Sequence, residues 1–280
     1  MKNIRIYILL LLTILSAGQL YAQKSQETSG KTVVINGLKI YYEESGKGMP
    51  LILLHPFGAT SSLWKTFIPE LSKYNRVIAV DLPGHGRSDS MDTTNIYLHK
   101  KAAEYIIGLI DFLKLDSVNM IGASSGGFVT LYVSTIRPKL TKHIVIIGGQ
   151  IYYSQQTREV ITAWGPGFEN QERLNESIKT HGKEKGTNLE RQFWNFRKLY
   201  GDPSFTPDVL ASIQARTLII HGDNDEIAPV TNAFEMYQNI KQPHLWIVPN
   251  GGHMPHLDPA NQNEFLRRIS EFLKNDWDGR

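Results

Sequence analysis

The sequence contains no cysteine. That absence removes disulfide bridges, thiolate metal sites and a cysteine nucleophile together, and it leaves no thiol for a lipid anchor. Charge of one sign is also lacking: 30 Lys and Arg stand against 27 Asp and Glu, a net charge of +3, and the basic residues form no long run. An electrostatic face built for nucleic acid is therefore not expected. There is no internal repeat, no low-complexity tract, no phosphate-binding loop and no metal-ligand cluster, so neither a cofactor nor a metal is expected. What is present is an ordinary globular composition. With 41% hydrophobic and 20% charged residues over 280 positions, a core can form without covalent staples.

One long apolar run exists, at the N-terminus. Lys2 and Arg5 precede Ile6 to Leu15, and small and polar residues follow, ending in Leu20-Tyr21-Ala22-Gln23. This layout predicts a secretory signal peptide over residues 1–22, cut after Ala22. Leu20 departs from the small residue usual two places before such a cut. Ten residues of helix rise only about 15 Å, against the roughly 30 Å of a bilayer core, so a spanning anchor is not expected. The mature protein is expected to be exported, periplasmic or secreted, with no stable membrane anchor. Oligomeric state leaves no trace in the sequence.

Residues 23–31 are polar and read as a tail. Beyond them, strand-like and helix-like patterns alternate. Val33-Val34-Ile35 and Leu38 to Tyr42 flank Asn36-Gly37, a hairpin signal. Leu51 to Leu54, Val77 to Val80, Val118 to Ile121 and Ile144 to Ile147 read as buried strands. Trp64 to Leu71, Ala102 to Leu113 and Phe128 to Ile136 read as helices. Residues 151–212 lose the rhythm. It resumes with Thr217 to Ile220, Asn232 to Ile240, Leu245 to Val248 and Glu264 to Leu273. The prediction is an α/β core over 23–150 and 213–280, a mostly parallel sheet with helices on both faces, interrupted by a helical insertion over 151–212.

Val118-Asn119-Met120-Ile121 runs into Gly122-Ala123-Ser124-Ser125-Gly126-Gly127 and then a helix. Gly-x-Ser-x-Gly between strand and helix is a sharp turn that lifts the serine to the carboxyl edge of the sheet. The turn also aims the Ser125 N–H and the helix N-terminus at the same point, which favours negative charge there. A serine hydroxyl needs a base, and the base an orienting acid. His253, in Asn250-Gly251-Gly252-His253 after a strand, is the candidate base, with His256 in reserve. His99 and His244 are expected on a helix or strand edge without a catalytic role. Asp223 and Asp225, both just past the strand ending near His221, each qualify as the acid.

Gly122-x-Ser124-x-Gly126, Gly222-x-x-Asp225 and Gly252-His253 resemble the nucleophile, acid and histidine motifs of the α/β-hydrolase superfamily, and the chain resembles its capped, esterase-like members. Asp81-Leu82-Pro83-Gly84-His85-Gly86-Arg87-Ser88 is a further hallmark of that group. The resemblance runs from about Val33 to Leu273 and is weakest over 151–212. It implies an α/β-hydrolase fold with an eight-stranded sheet, Asp225 as the acid, Asp223 as a turn residue, and 151–212 as a cap. It also makes His55-Pro56-Phe57-Gly58 the oxyanion loop, with the Phe57 N–H as second donor beside that of Ser125. Pro56 departs from the glycine usual there.

The insertion is rich in aromatics, and Trp164, Phe168 and Trp194, with Met254 beside the histidine, are candidate substrate contacts. His181 to Gly186 reads as a solvated loop. The expected substrate is a small apolar or aromatic ester, cleaved through an acyl-serine. Carbon–carbon bond and lactone hydrolysis use the same triad. Met254 stands where the carbon–carbon group often carries Trp. A ligand-binding relative with little turnover is the reading from another class.

Overall fold

Leu51 and Leu53 pack on one side of their strand, Ile52 and Leu54 on the other, and all four are fully buried. Side chains alternate along a strand, so a run buried throughout needs a covering layer on each face. That is the architecture of the computed structural model, which describes residues 29–91 and 96–276. The expected leader, 1–22, lies outside the described residues.

Eight strands form a single sheet. They are β1 (Ser29–Ile35), β2 (Leu38–Ser45), β3 (Met49–Leu54), β4 (Asn75–Val80), β5 (Val118–Ala123), β6 (Thr141–Ile147), β7 (Arg216–Gly222) and β8 (Pro243–Val248), ordered β1-β2-β4-β3-β5-β6-β7-β8. β2 pairs antiparallel with β1 and with β4, and every other pairing is parallel. The β1–β2 hairpin turns on Asn36 and Gly37, both with positive φ, which matches the twist of the strands it joins.

The helices are α1 (Ile68–Leu71), α2 (His99–Phe112), α3 (Ser125–Ile136), α4 (Gln155–Trp164), α5 (Gln171–His181), α6 (Lys183–Asn195), α7 (Pro207–Ala211), α8 (Val230–Asn239) and α9 (Gln262–Leu273). Residues of α2, α3 and α8 fill the core on one face, and residues of α1 and α9 fill the other. The α2 core residues Ala102, Ile106, Leu109 and Ile110 fall at helical spacing and are all buried. None of the described helices is long and apolar enough to cross a membrane.

Residues 151–212 carry α4 to α7 and, among strand-like contacts, only the isolated bridge between Tyr152 and Ser204. Three local expectations need correction. Trp64 to Leu71 is not one helix but a 3-10 turn at Ser61–Trp64 followed by the short α1. Pro69 explains the break: it lacks an N–H and is tolerated only in a first turn, which is where α1 places it. Residues 29–31 are not tail but the start of β1, where Lys31 pairs with Glu44 at 2.7 Å. His181 to Gly186 is not a solvated loop. His181 ends α5, Lys183 begins α6, and His181 is buried.

Candidate active site

β5 delivers the chain to Ser124 at its carboxyl end, and α3 leaves immediately afterwards. Between them Ser124 adopts φ 49° and ψ −116°, a conformation that side chains bearing a Cβ rarely take. Only glycine fits two positions to either side. A Cβ on Gly122 would lie 2.2 Å from the Gly126 carbonyl oxygen, and one on Gly126 would lie 2.3 Å from that of Leu54. The Ser124 N–H is held by the Ile147 carbonyl at 2.8 Å, which fixes the turn to the neighbouring β6.

Ser124 Oγ is 3.0 Å from His253 Nε2, and His253 Nδ1 is 2.8 Å from Asp225 Oδ2. A carboxylate only accepts, so the His253 Nδ1–H donates to Asp225 and Nε2 is left to accept the Ser124 O–H. Asp225 Oδ1 accepts the N–H groups of Ile227 and Ala228, each at 2.9 Å. Burial alone would raise the Asp225 carboxyl. The hydrogen bond and charge of His253, with the Ala228 N–H, outweigh it and hold the group below the usual carboxylate range. Asp223 is exposed at the same turn and takes no part in this chain. His256 is buried among Trp64, Phe67 and Phe265, with ring centroids 5.1–5.7 Å away, and belongs to the core. His244 lies on β8, 3.0 Å from Arg216.

Leu54 of β3 pairs with Gly122 of β5, so Phe57 and Ser125, three residues beyond each, leave the same edge of the sheet side by side. The oxyanion-loop candidate is stiff. The His55 Nδ1–H donates to the Pro56 carbonyl at 2.7 Å, and the Leu82 N–H donates to His55 Nε2 at 2.9 Å. Burial keeps His55 neutral, with its pKa lowered to about 4. The Ala59 N–H closes a turn onto the Pro56 carbonyl, and Gly58 takes φ 75°. Among the described residues the cis peptide bond is Asp202–Pro203, so Pro56 is trans. The 81–88 loop is structural. Asp81 accepts from the Ser61 and Arg87 N–H groups at 2.8 and 2.9 Å, and Ser88 Oγ donates to the Asp81 carbonyl at 2.6 Å.

The insertion covers this edge. His181 bridges Gly58 and Gly86, and the Lys185 ammonium donates to the carbonyls of Gly86 and Ser88 at 2.6 and 2.9 Å. A cleft of about 540 Å³ opens beside Phe57, lined among others by Trp164, Phe193, Asn170, Arg173 and Glu190. Arg173 and Glu190 pair at 2.9 Å. Burial raises the Glu190 carboxyl more than Arg173 lowers it. Trp164 stacks on Phe193 at 6.1 Å in this cleft. Phe168 lies under Arg191 and Trp194 under Arg197, and neither lines the cleft. Met254 is half-buried and packs against the core on the face that α1 and α9 fill. Among the described residues no group of three or more His, Asp or Glu side chains is arranged to hold a metal. His99, expected on a helix or strand edge without a catalytic role, does lie on a helix, and it reaches the site. It is fully buried at the start of α2, with Nε2 3.0 Å from Ser125 Oγ. No local pattern announces that contact, which joins residues 26 positions apart.

A model of the alpha/beta hydrolase family matches residues 51–264. The chain is 25% identical to a 2-hydroxy-6-oxo-6-(2'-aminophenyl)hexa-2,4-dienoic acid hydrolase of Metapseudomonas resinovorans, covering 93% of this chain and 96% of that one. It is 27% identical to the human serine hydrolase BPHL, covering 92% and 90%. In structure it resembles a variant of the meta-cleavage product hydrolase CumD from Pseudomonas fluorescens IP01, with TM-score 0.70, 23% identity and coverage of 88% and 98%. That last likeness speaks for the fold.

Proposed function

The chain belongs to the alpha/beta hydrolase family, and from that premise we propose that it hydrolyses a carbon–carbon bond beside a ketone in a 2-hydroxy-6-oxo-dienoic acid. The observation that carries the hydrolytic part is the unbroken Ser124–His253–Asp225 chain at 3.0 and 2.8 Å. The bond class rests on relatives whose names specify such acids, with an aminophenyl or a methyl-bearing heptadienoate frame. The aromatic cleft beside Phe57, with Arg173 and Asn170 in its wall, suits an unsaturated acid.

In this reading His253 takes the Ser124 proton as Oγ attacks the ketone carbon. The N–H groups of Phe57 and Ser125 hold the oxyanion, a contribution of roughly 3–4 kcal/mol per donor. Collapse breaks the bond to the neighbouring carbon. The acid has first ketonised, its 2-hydroxyl proton passing to C5, so the released electron pair spreads through the adjacent alkene onto the 2-oxo oxygen, and a proton from His253 completes the hydroxydienoate. Water, deprotonated by His253, then attacks the acyl-serine and frees the second carboxylic acid, with Ser124 reprotonated. Asp225 holds the imidazole tautomer throughout.

Ester cleavage is the second reading. The same acyl-serine apparatus performs it without needing a carbon leaving group, and Met254 replaces the Trp often seen after the histidine in carbon–carbon hydrolases. Purified protein offered 2-hydroxy-6-oxo-6-phenylhexa-2,4-dienoate and p-nitrophenyl acetate decides between them. A higher kcat/KM for the dienoate is expected, and a higher value for the ester reverses the order. Turnover of both that survives Ser124→Ala refutes both. We also propose export, on the strength of residues 1–22. N-terminal sequencing of the protein recovered outside the cytoplasm, expected to begin at Gln23, tests it.

A further inference from the structure

Beside the nucleophile lies a second serine–histidine–aspartate chain. Ser125 Oγ is 3.0 Å from His99 Nε2, and His99 Nδ1 is 2.9 Å from Asp202 Oδ1. Asp202 Oδ2 accepts the Lys100 N–H at 2.9 Å, which fixes the carboxylate against the first turn of α2. All three side chains are buried, His99 completely. The carboxylate only accepts, so the His99 Nδ1–H donates to Asp202 and Nε2 takes the Ser125 O–H. Tyr97, Phe128 and Phe196 wall the imidazole at centroid distances of 5.2, 4.9 and 5.4 Å. Such apolar walls exclude water and strengthen the two bonds. The Ser125 hydroxyl is committed inside this wall and is not a second nucleophile.

The three residues come from the three segments that make the site. Ser125 is the first residue of α3 and the neighbour of Ser124. His99 opens α2. Asp202 lies in the insertion, on the return from the cap. A serine in the first turn of a helix ordinarily competes for nearby backbone groups, and its rotamer is free to change. Here one rotamer is held from two sides.

We propose that His99 and Asp202 are positioning residues that lock Ser125, aim its backbone N–H at the oxyanion, and so couple the seating of the cap to oxyanion stabilisation. The proposal rests on the reading of Ser125 as an oxyanion donor. A donor has to meet the oxyanion at about 2.7–3.1 Å, so a small displacement weakens it.

The test uses the full chain, p-nitrophenyl acetate, and a fluorophosphonate that labels Ser124 to count intact sites. Ser125→Ala and His99→Phe are each expected to lower kcat and kcat/KM together, with KM unchanged. The loss is expected to be roughly 10-fold per labelled site, less than the 10²–10³ of a donor removed outright. The double variant is expected to lose no more than either single one, because both break the same link. Ser125→Thr, which keeps the hydroxyl, is expected to recover most of the turnover. Affinity for a boronic acid that forms a tetrahedral adduct on Ser124 is expected to fall by the same factor as kcat. If His99→Phe does not fold, Ser125→Ala, which removes one oxygen, carries the test. Wild-type kcat per labelled site in Ser125→Ala, with only the melting temperature lowered, overturns the proposal. Ser124→Ala separates the two failures. It abolishes turnover if the hydrolase reading stands, whatever His99 does, and full turnover in it overturns both.

Discussion

His181 and Gly58 are joined by a 2.9 Å hydrogen bond across 123 residues of sequence, from the end of a cap helix to the residue after Phe57. The Gly86 N–H donates to the other ring nitrogen at 2.9 Å, so Nδ1 is the acceptor and Nε2–H the donor. Burial pushes the His181 pKa down, which keeps that arrangement neutral.

His181→Phe removes both bonds and leaves a backbone N–H and a carbonyl unpaired. Such orphaned groups cost on the order of 1–3 kcal/mol each. A lower melting temperature is expected, together with a lower kcat/KM because the oxyanion loop loses its brace. Calorimetry and steady-state kinetics on the same sample check both.

The choice between the two aspartates is equally testable. Asp225→Asn is expected to cost roughly 10⁴ in kcat, since an amide no longer enforces the His253 tautomer. Asp223→Asn, on the exposed side of the same turn, is expected to leave kcat unchanged. Parallel kinetics of the two variants provide the comparison.

Much of this was readable from the chain alone. The parallel strands announce themselves because burial on both faces favours unbroken apolar runs, as in Leu51 to Leu54. Ser124, Asp225 and His253 were legible because each follows a parallel strand, and parallel strands bring their carboxyl ends to one edge. What stayed hidden is held by long-range polar pairs, which have no period. Asp202 meets His99 from 103 residues away, and His181 sits in a polar stretch that reads as solvated. Phe168 and Trp194 were expected as substrate contacts on their aromatic character, and composition does not say which side of a cap helix a ring takes. Trp64 to Leu71 reads as one helix by its apolar pattern, and the break comes from Pro69 within it.

Buried imidazoles make stability fall in acid, and His55 and His256 are two of them. His55 is lowered to about 4 and His256 to about 3, in both cases chiefly by burial, with the His253 charge adding to the effect on His256. Below pH 6.5 the unfolded chain takes up protons that the folded one refuses. Stability is therefore whole above about 6.5 and falls as pH drops towards 4, by about 1.4 kcal/mol per pH unit for each histidine. Neither ring nitrogen of His256 has a hydrogen-bond partner among the described residues. His256→Phe is expected to match or exceed wild-type stability at pH 7 and to flatten the acid slope by about one histidine's share. Urea midpoints between pH 7 and pH 4.5 give the slopes.

The strained turn at Ser124 has a consequence for how this protein would evolve. A positive φ costs a residue bearing a Cβ roughly 1–3 kcal/mol, and glycine is free of that cost. Ser124→Gly is expected to melt at a higher temperature than the wild type and to hydrolyse nothing, which one thermal scan and one assay would show. A population of this gene selected for heat survival alone would drift to glycine at 124, so serine persists there only under continuing demand for its reaction.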